Sequence, residues 1–285
     1  MTASPTVIRF GFLPHKCVIE FGNGKITPIS EFDRVAKAVK KRLHEDGHLY
    51  PPVLPSVIVV SALGRKTPRT RRPAHLYQVP PSHNLYIAPQ RHESNIREGS
   101  AGFVIHLLGF LFRTRLQFAD WFYDGRIPVD FTGTFALARD PIQAGNYISN
   151  AYETWSNWPE VERTRFTNIL YMHSRVSAYE WDWEQFTLEY MILDACWKMG
   201  QKLFKLHAKT NADRIPVLCK AMGVEPHHLG IDLKTMTDLR NDLFHEGLWY
   251  KARPSSVGRR PFYIHAAMGA LCKELILALI GRGKK

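Results

Sequence analysis

Cysteine is scarce in this sequence of 285 residues: there are four, at positions Cys17, Cys196, Cys219 and Cys272. No two of them lie close together in sequence, whereas zinc sites built on cysteine need closely spaced thiolates. Disulfide-stabilised domains use cysteine more densely, and scattered single cysteines are typical of free, buried thiols in a reducing compartment. This spacing predicts neither a zinc site nor a disulfide framework.

Long apolar runs are also absent. The longest, Gly102–Phe112, is interrupted by His106 and is much shorter than the roughly 20 residues that a membrane-spanning helix needs. Residues 1–6 have neither a basic start nor an apolar core, so we expect no signal peptide. These features predict a cytoplasmic protein without a membrane partner.

The sequence lacks the motifs that bind nucleotide phosphates or carry a nucleophilic serine. It contains no GxxxxGK[ST] loop and no Gly-x-Ser-x-Gly elbow, and Gly22 and Gly24 are not followed by the third glycine of a dinucleotide-binding fingerprint. His227 and His228 are adjacent, so their side chains diverge and are a poor basis for a metal site. We therefore expect neither a metal ion nor a cofactor.

Acidic residues are fewer than basic residues, 26 against 38, and the formal net charge is +12. Such a balance attracts polyanions, and nucleic acid is the partner that it favours. Basic residues are concentrated in one loop that contains glycine and prolines and in a second loop near the C-terminus. The candidate RNA-binding residues are Arg65, Lys66, Arg69, Arg71, Arg72, Lys251, Arg253, Arg259 and Arg260. Solvated loops without a ligand remain the alternative interpretation.

The N-terminal half is predicted to be rich in strands, because short apolar runs alternate there with turn residues. A helix is predicted from Phe32, with Ser30 and Asp33 as its capping box, and another over 101–118. The predicted strands are Val7–Leu13, Cys17–Phe21, Val57–Val60, Leu76–Val79, Leu85–Ala88 and Val129–Ala138.

The C-terminal half shows helical spacing of apolar residues instead, in a succession of segments joined by short loops. The predicted helices are Asn146–Trp155, Glu160–Ala178, Trp183–His207, 212–222, Asp232–Glu246 and Pro261–Ile280. The fold class is therefore α+β: a strand-rich, mixed α/β N-terminal domain over 1–143 and an all-α helical bundle over 144–285.

One stretch, Leu239–Gly247, carries the polar residues that are best suited to chemistry. Its apolar side chains, together with Met236, recur at three- and four-residue steps and define a face that packs on the core. Asn241 and His245 fall away from this face, and the long side chain of Arg240 can bring its guanidinium to the imidazole. An imidazole transfers protons near neutral pH, and a guanidinium stabilises charge that develops on phosphate oxygens.

A carboxylate that could pair with Arg240 is a further candidate residue for this site. Glu189 lies in an apolar run of the longest predicted helix, and a carboxylate in such a run is rarely buried alone. Arg240 is a candidate partner that Glu189 would orient. The alternative is that Glu189 points into solvent.

The spacing Arg240-x4-His245, with apolar flanks and a small residue soon after the histidine, resembles the HEPN superfamily and its Arg-x4-6-His pattern. The resemblance covers roughly residues 145–280. It implies a compact helical bundle that pairs with a second copy across a basic cleft. Many members are metal-independent RNases of toxin or antiviral defence systems, so the resemblance implies that Arg240 and His245 are catalytic.

Two functions are open on the sequence. The first is a cytoplasmic endoribonuclease, a nuclease that cleaves RNA by attack of the 2′-hydroxyl on the adjacent phosphate. This reaction needs two proton transfers, and a chain with one motif histidine supplies both only as a homodimer. The second is a non-catalytic module with the same fold, which binds RNA or a protein and in which Arg240 and Asn241 are structural.

Overall fold

The computed structural model describes residues 6–54, 72–88, 93, 95–132, 140–229, 232–251, 254 and 263–281. Strands predominate in the N-terminal half and helices follow them, which confirms the predicted α+β class. The predicted strand Val57–Val60 lies outside the described residues.

The strands of the N-terminal half are short. Those in the described part of the chain are β1 (Thr6–Gly11), β2 (Ile19–Phe21), β3 (Gly24–Pro28), β4 (His48–Leu49), β5 (Val53–Leu54), β6 (Arg72–Pro73), β7 (His83–Ile87), β8 (Gln117–Phe118) and β9 (Ile127–Pro128). Five of them form an antiparallel sheet in the order β2-β3-β7-β1-β8. In the central strand β7, Leu85 pairs with Ile8 on one side and with Ile26 on the other, and all three side chains are buried.

The helices of the described residues are α1 (Phe32–Lys40), α2 (Ser100–Leu111), α3 (Pro141–Ser156), α4 (Glu160–Val176), α5 (Asp182–Leu203), α6 (Arg214–Met222), α7 (Leu233–Asn241) and α8 (Tyr263–Gly281). A 3₁₀ turn, Pro226–Leu229, precedes α7. Each helix predicted in the C-terminal half is present, with ends that differ by a few residues. Asp140 caps α3 by accepting a hydrogen bond from the backbone N–H of Gln143 (2.8 Å), and Pro141 occupies the first helical position, where its missing N–H costs nothing.

The predicted capping box of α1 is wrong. Glu31 is the residue at the N-cap, and no side chain caps the helix there. The Ser30 hydroxyl donates instead to the Glu31 carboxylate (2.8 Å). The spacing of the apolar residues nevertheless predicted the buried face of α1 correctly, since Phe32, Val35 and Val39 are buried.

The helix predicted over 101–118 is too long. It ends at Leu111, and the chain then turns back, with the Thr114 N–H donating to the Gly109 carbonyl (2.9 Å). A Cβ on Gly109 would lie 2.8 Å from the Thr114 carbonyl oxygen, so glycine allows this close return. Of the apolar residues that follow, Phe112 and Leu116 are buried between the helix and the next strand, and Phe118 is buried in β8.

One strand prediction is also wrong, and another lies largely outside the described residues. Leu76–Val79 forms no strand, and Tyr77 makes a single bridge to Tyr123. Of the strand predicted over Val129–Ala138, residues 129–132 form no strand, and residues 133–138 lie outside the described part.

A continuous hydrophobic core joins the sheet to the helices. Its residues include Phe10 of β1, Val104 of α2, Ile169 of α4, Ile192 of α5 and Ile276 of α8, all fully or almost fully buried. α2 is buried on every side. The predicted boundary between residues 143 and 144 lies in the first turn of α3, and this core includes residues from both sides of it.

Within the described residues, no helix combines the length and the apolar character that crossing a membrane would require.

Two buried histidines predict acid sensitivity of the fold. Burial lowers the pKa of His83 in β7 and of His106 in α2 from 6.5 to about 4, and the cation of Arg115 contributes at His106. Both rings are therefore neutral in the folded protein, whereas the unfolded chain binds their protons below pH 6.5. Their contribution to stability is fully present above pH 6.5 and is lost as pH falls toward 4, by about 3 kcal/mol for each group.

We therefore expect the free energy of unfolding, measured with urea at pH 7 and at pH 4.5, to fall markedly at the lower pH. His106→Leu is the diagnostic variant, because the Nδ1 of His106 is buried without a hydrogen-bond partner and leucine removes the titrating group. The loss of stability on acidification should be smaller in His106→Leu than in the original chain. Equal losses in the two proteins would contradict this explanation.

Candidate functional site

The helix that carries the Arg240-x4-His245 motif begins at a well-defined cap. The Asp232 carboxylate accepts hydrogen bonds from the backbone N–H groups of Lys234 (3.0 Å) and Thr235 (3.3 Å), and from the Thr235 hydroxyl (2.5 Å). These hydrogen bonds lower the pKa of the Asp232 carboxyl, and the bond from the Thr235 hydroxyl contributes most. Because the cap satisfies two backbone donors at the start of α7, it fixes where the helical register begins.

The predicted orientation of this helix is confirmed. Met236 and Leu239 are buried in the core and Leu243 is half-buried, whereas Asn241 and His245 are exposed. Arg240 lies between the two faces and is half-buried. The sequence thus placed the polar residues of the motif correctly, away from the hydrophobic core.

The prediction of a regular α-helix as far as Glu246 is wrong. From Asp242 to Glu246 it widens into a π-helical turn, in which the Gly247 N–H donates to the Asp242 carbonyl. Gly247 has a φ of +66°, a conformation that glycine adopts without strain, and the chain leaves the helix there. Wide turns of this kind occur frequently at functional sites.

The Arg240 guanidinium contacts the His245 imidazole directly. Its Nη1 donates to His245 Nε2 at 3.0 Å and also lies 3.1 Å from the Asn241 side-chain oxygen. In a regular α-helix a residue five positions ahead is rotated by about 140°, so Arg240 and His245 would point apart. The wide turn reduces this rotation and brings the two side chains together. Because Nε2 accepts this bond, the neutral imidazole carries its proton on Nδ1.

Two aromatic rings hold the guanidinium in place. Its central carbon lies 5.7 Å from the centroid of Tyr190 in α5 and 5.2 Å from that of Phe244. Such cation–π contacts restrict the long arginine side chain without using all of its hydrogen-bond donors. Arg240 is therefore oriented beside His245 before any ligand binds.

An acidic residue of α5 also lies near the guanidinium. Burial raises the pKa of the Asp194 carboxyl, although the cations of Arg214 and Arg240 oppose this. Sequence reasoning missed Asp194, Tyr190 and Phe244 as neighbours of Arg240. Tyr190 and Asp194 are one helical turn apart on α5, but only their proximity to Arg240 in the folded chain shows that both lie near the motif.

Glu189 is placed differently from either interpretation of the sequence. It is not exposed to solvent, since only 1% of it is accessible. It does not lie against Arg240, whose guanidinium stacks on the neighbouring Tyr190 instead. The carboxylate faces α8, where its Oε1 lies 3.1 Å from the position that a Cβ on Gly269 would take. Glu189 and Tyr190 project from different faces of α5, and this separates Glu189 from the motif.

The chain beyond the motif is anchored by an aromatic cluster. Trp249 is buried, with its ring centroid 5.0 Å from those of Phe186 and Tyr250. Lys251 follows and is exposed near the motif helix. The candidate RNA-binding residues whose side chains lie outside the described part are Arg65, Lys66, Arg69, Arg71, Arg72, Arg253, Arg259 and Arg260.

Among the residues that the structure describes, no three His, Cys, Asp or Glu side chains are grouped closely enough to hold a metal ion. His227 lies beside Glu225, with 3.5 Å between Nδ1 and Oε2, but both are exposed and this is an ordinary surface pair.

Comparison of this chain with protein-family models, with curated proteins and with solved structures found no match in any of the three.

Proposed function

We propose that this protein is an endoribonuclease that cleaves RNA by transesterification at Arg240 and His245, without a metal ion. The observation that carries the proposal is the direct 3.0 Å contact between the guanidinium and the imidazole on an exposed helical turn. A proton-transfer group and a fixed cation at one accessible position are what attack on a phosphodiester requires. The HEPN-like spacing of these residues agrees with this chemistry.

In the proposed reaction, the imidazole of one His245 removes the proton from a ribose 2′-hydroxyl. The 2′-oxygen then bonds to the adjacent phosphorus, and the bond from phosphorus to the 5′-oxygen of the next nucleotide breaks. A second imidazole donates a proton to that leaving oxygen. The products are a 2′,3′-cyclic phosphate and a 5′-hydroxyl, and the Arg240 guanidinium stabilises the charge on the phosphate oxygens during the exchange.

Asn241 and the two rings have positioning roles in this proposal. The amide oxygen of Asn241 occupies one donor of the Arg240 guanidinium, and the rings of Tyr190 and Phe244 lie close to it. The remaining N–H groups stay available for two phosphate oxygens. Arg240 would release its bond to His245 Nε2 when the imidazole takes a proton, because a protonated ring has no acceptor.

The active form would be a homodimer, because two proton transfers need two histidines. Two large apolar side chains beside the motif, Phe244 and Leu248, are 47% and 37% exposed, respectively. Exposed apolar residues next to a polar motif are typical of a surface that a partner covers. A twofold axis here would bring both copies of His245 into one cleft.

RNA would be held by basic residues around this cleft. Lys251 is exposed two residues beyond the buried Trp249, so it is attached to a firmly anchored segment. Phosphate contacts from such basic residues would supply much of the affinity for RNA. A cytoplasmic role in antiviral defence or in a toxin system is proposed from the HEPN resemblance.

The test is incubation of the purified chain with an end-labelled RNA in excess EDTA, with the product termini and the mass of the protein in solution measured on the same preparation. We expect cleavage that survives chelation, 2′,3′-cyclic phosphate ends and a dimer mass. Cleavage that needs a divalent ion, or 5′-phosphate products, would contradict the chemistry. A fully active monomer would contradict the composite site.

A non-catalytic module that binds RNA or a protein is the second candidate. The observation that favours it is the number of contacts that already engage Arg240, since an arginine held by two rings and an amide serves equally well as a structural residue. The same preparation separates the two functions, because tight RNA binding without any product supports the module.

A further inference from the structure

A partly enclosed cavity of about 470 Å³ is lined by α5 residues other than those that contact the motif. It is bounded by the end of α2, the C-terminal turns of α4, the first half of α5 and the middle of α8. Phe110, Val176 and Ala270 are among the apolar residues that line it. Its size is in the range of pockets that bind small organic molecules.

Two cationic side chains, Arg113 and Lys273, line this cavity. No carboxylate in the described part of the chain forms an ion pair with either of them. Glu189 also lines the cavity, but it is almost completely buried against α8, whereas Arg113 is exposed. Burial, with a contribution from Lys273, lowers the pKa of His173 to about 4, so this ring is neutral at pH 7. The lining thus carries a net positive charge.

The backbone at Arg113 allows its side chain to be removed without a cost to the fold. Arg113 directly follows the C-cap of α2 and has a φ of +50°. Helices commonly place glycine at this position, because a left-handed conformation costs other residues about 1–2 kcal/mol. Glycine would therefore make the turn more stable than arginine does.

We propose that this cavity binds a small organic anion, with Arg113 and Lys273 engaging a carboxylate or a phosphate monoester and the apolar walls enclosing an apolar or aromatic body. The ligand would present its anionic group to the two cations. This site is separate from the motif and does not depend on the proposed RNase activity. Carboxylate and phosphate share the chemistry that the two cations recognise.

The probes are phenyl phosphate and phenylacetate. Benzyl alcohol serves as a neutral analogue, and inorganic phosphate serves as an anion that has no aromatic ring. Binding to the full chain is measured by calorimetry. We expect at least one of the two aromatic anions to bind at least tenfold more tightly than both benzyl alcohol and inorganic phosphate. The one that binds more tightly identifies the anionic group. The proposal would be overturned if benzyl alcohol or inorganic phosphate bound as tightly as the preferred aromatic anion. It would also be overturned if neither aromatic anion bound.

Arg113→Gly separates binding from folding, because it removes the cation and relieves the left-handed strain. It should weaken binding of the preferred anion at least tenfold while the melting temperature stays the same or rises. Lys205→Gly is the matched control: Lys205 directly follows the C-cap of α5 with a φ of +55°, is exposed and does not line the cavity. It should leave binding unchanged. Lys273→Gln should also weaken binding, and wild-type affinity in both Arg113→Gly and Lys273→Gln would refute the assignment.

Discussion

Replacing His245 with alanine is expected to reduce RNA cleavage by about a hundredfold or more, since proton-transfer groups contribute at least that much to the rate. Stability should be nearly unchanged, because His245 is exposed and its loss opens no cavity in the core. Affinity for RNA should also change little, since phosphate contacts from basic residues dominate binding. A large loss of rate without a loss of fold or affinity is the result that identifies a catalytic group.

The matched control is His227→Ala, which removes another exposed histidine from the short turn that precedes α7. Both variants are purified in the same way, and their rates are compared under single-turnover conditions together with their melting temperatures. His227→Ala should cleave RNA at the original rate. Equal activity of the two variants would rule out His245 as the proton-transfer group, and it would attribute any cleavage to another site or to a contaminating nuclease.

Arg240→Lys is expected to reduce the cleavage rate by about a hundredfold, although the charge is kept. Lysine has no planar fork of donors, so it cannot contact two phosphate oxygens in the transition state as arginine does. Its ammonium can still lie over Tyr190 and Phe244, so we expect a stability change of less than about 1 kcal/mol. The loss should fall mainly on the rate of the chemical step and only slightly on the affinity for RNA.

Arg163→Lys provides the control for this substitution. The Arg163 guanidinium stacks on the ring of Trp155 at 5.5 Å, a contact similar to that of Arg240 with Tyr190, but Arg163 lies on α4 away from the motif. Its replacement should change stability by a comparable amount and leave cleavage intact. If Arg240→Lys kept near-original activity, two-pronged phosphate contact would not be the role of Arg240.

The fold class and the orientation of the motif helix could be predicted from the sequence because both depend on local periodicity. The three- and four-residue spacing of Met236, Leu239 and Leu243 defines one face whatever the helix packs against. The same reasoning placed the exposed side of the motif correctly. The strands β1, β2 and β7 were found because buried and exposed residues alternate in them or because they form short apolar runs.

Other features could not be predicted because they depend on contacts between distant residues or on backbone geometry without a clear local signature. Periodicity could not locate the end of α2, since its apolar run continues into a buried strand. It also could not say that Glu189 faces α8 or that Tyr190 lies under Arg240, because both statements require the packing of α5. No residue pattern in the sequence predicted the π-helical turn at Asp242–Glu246.

That turn has a consequence for the evolution of the site. A π-helical turn is equivalent to an α-helical turn into which one residue has been inserted. Deletion of one residue between Arg240 and His245 would restore the regular helix and leave a four-residue step, at which α-helical side chains are again neighbours. The arginine–histidine pair is therefore compatible with two chain lengths, each with its own helical geometry. A sequence comparison that requires one fixed number of residues between the arginine and the histidine would therefore assign proteins with the same arginine–histidine contact to different groups.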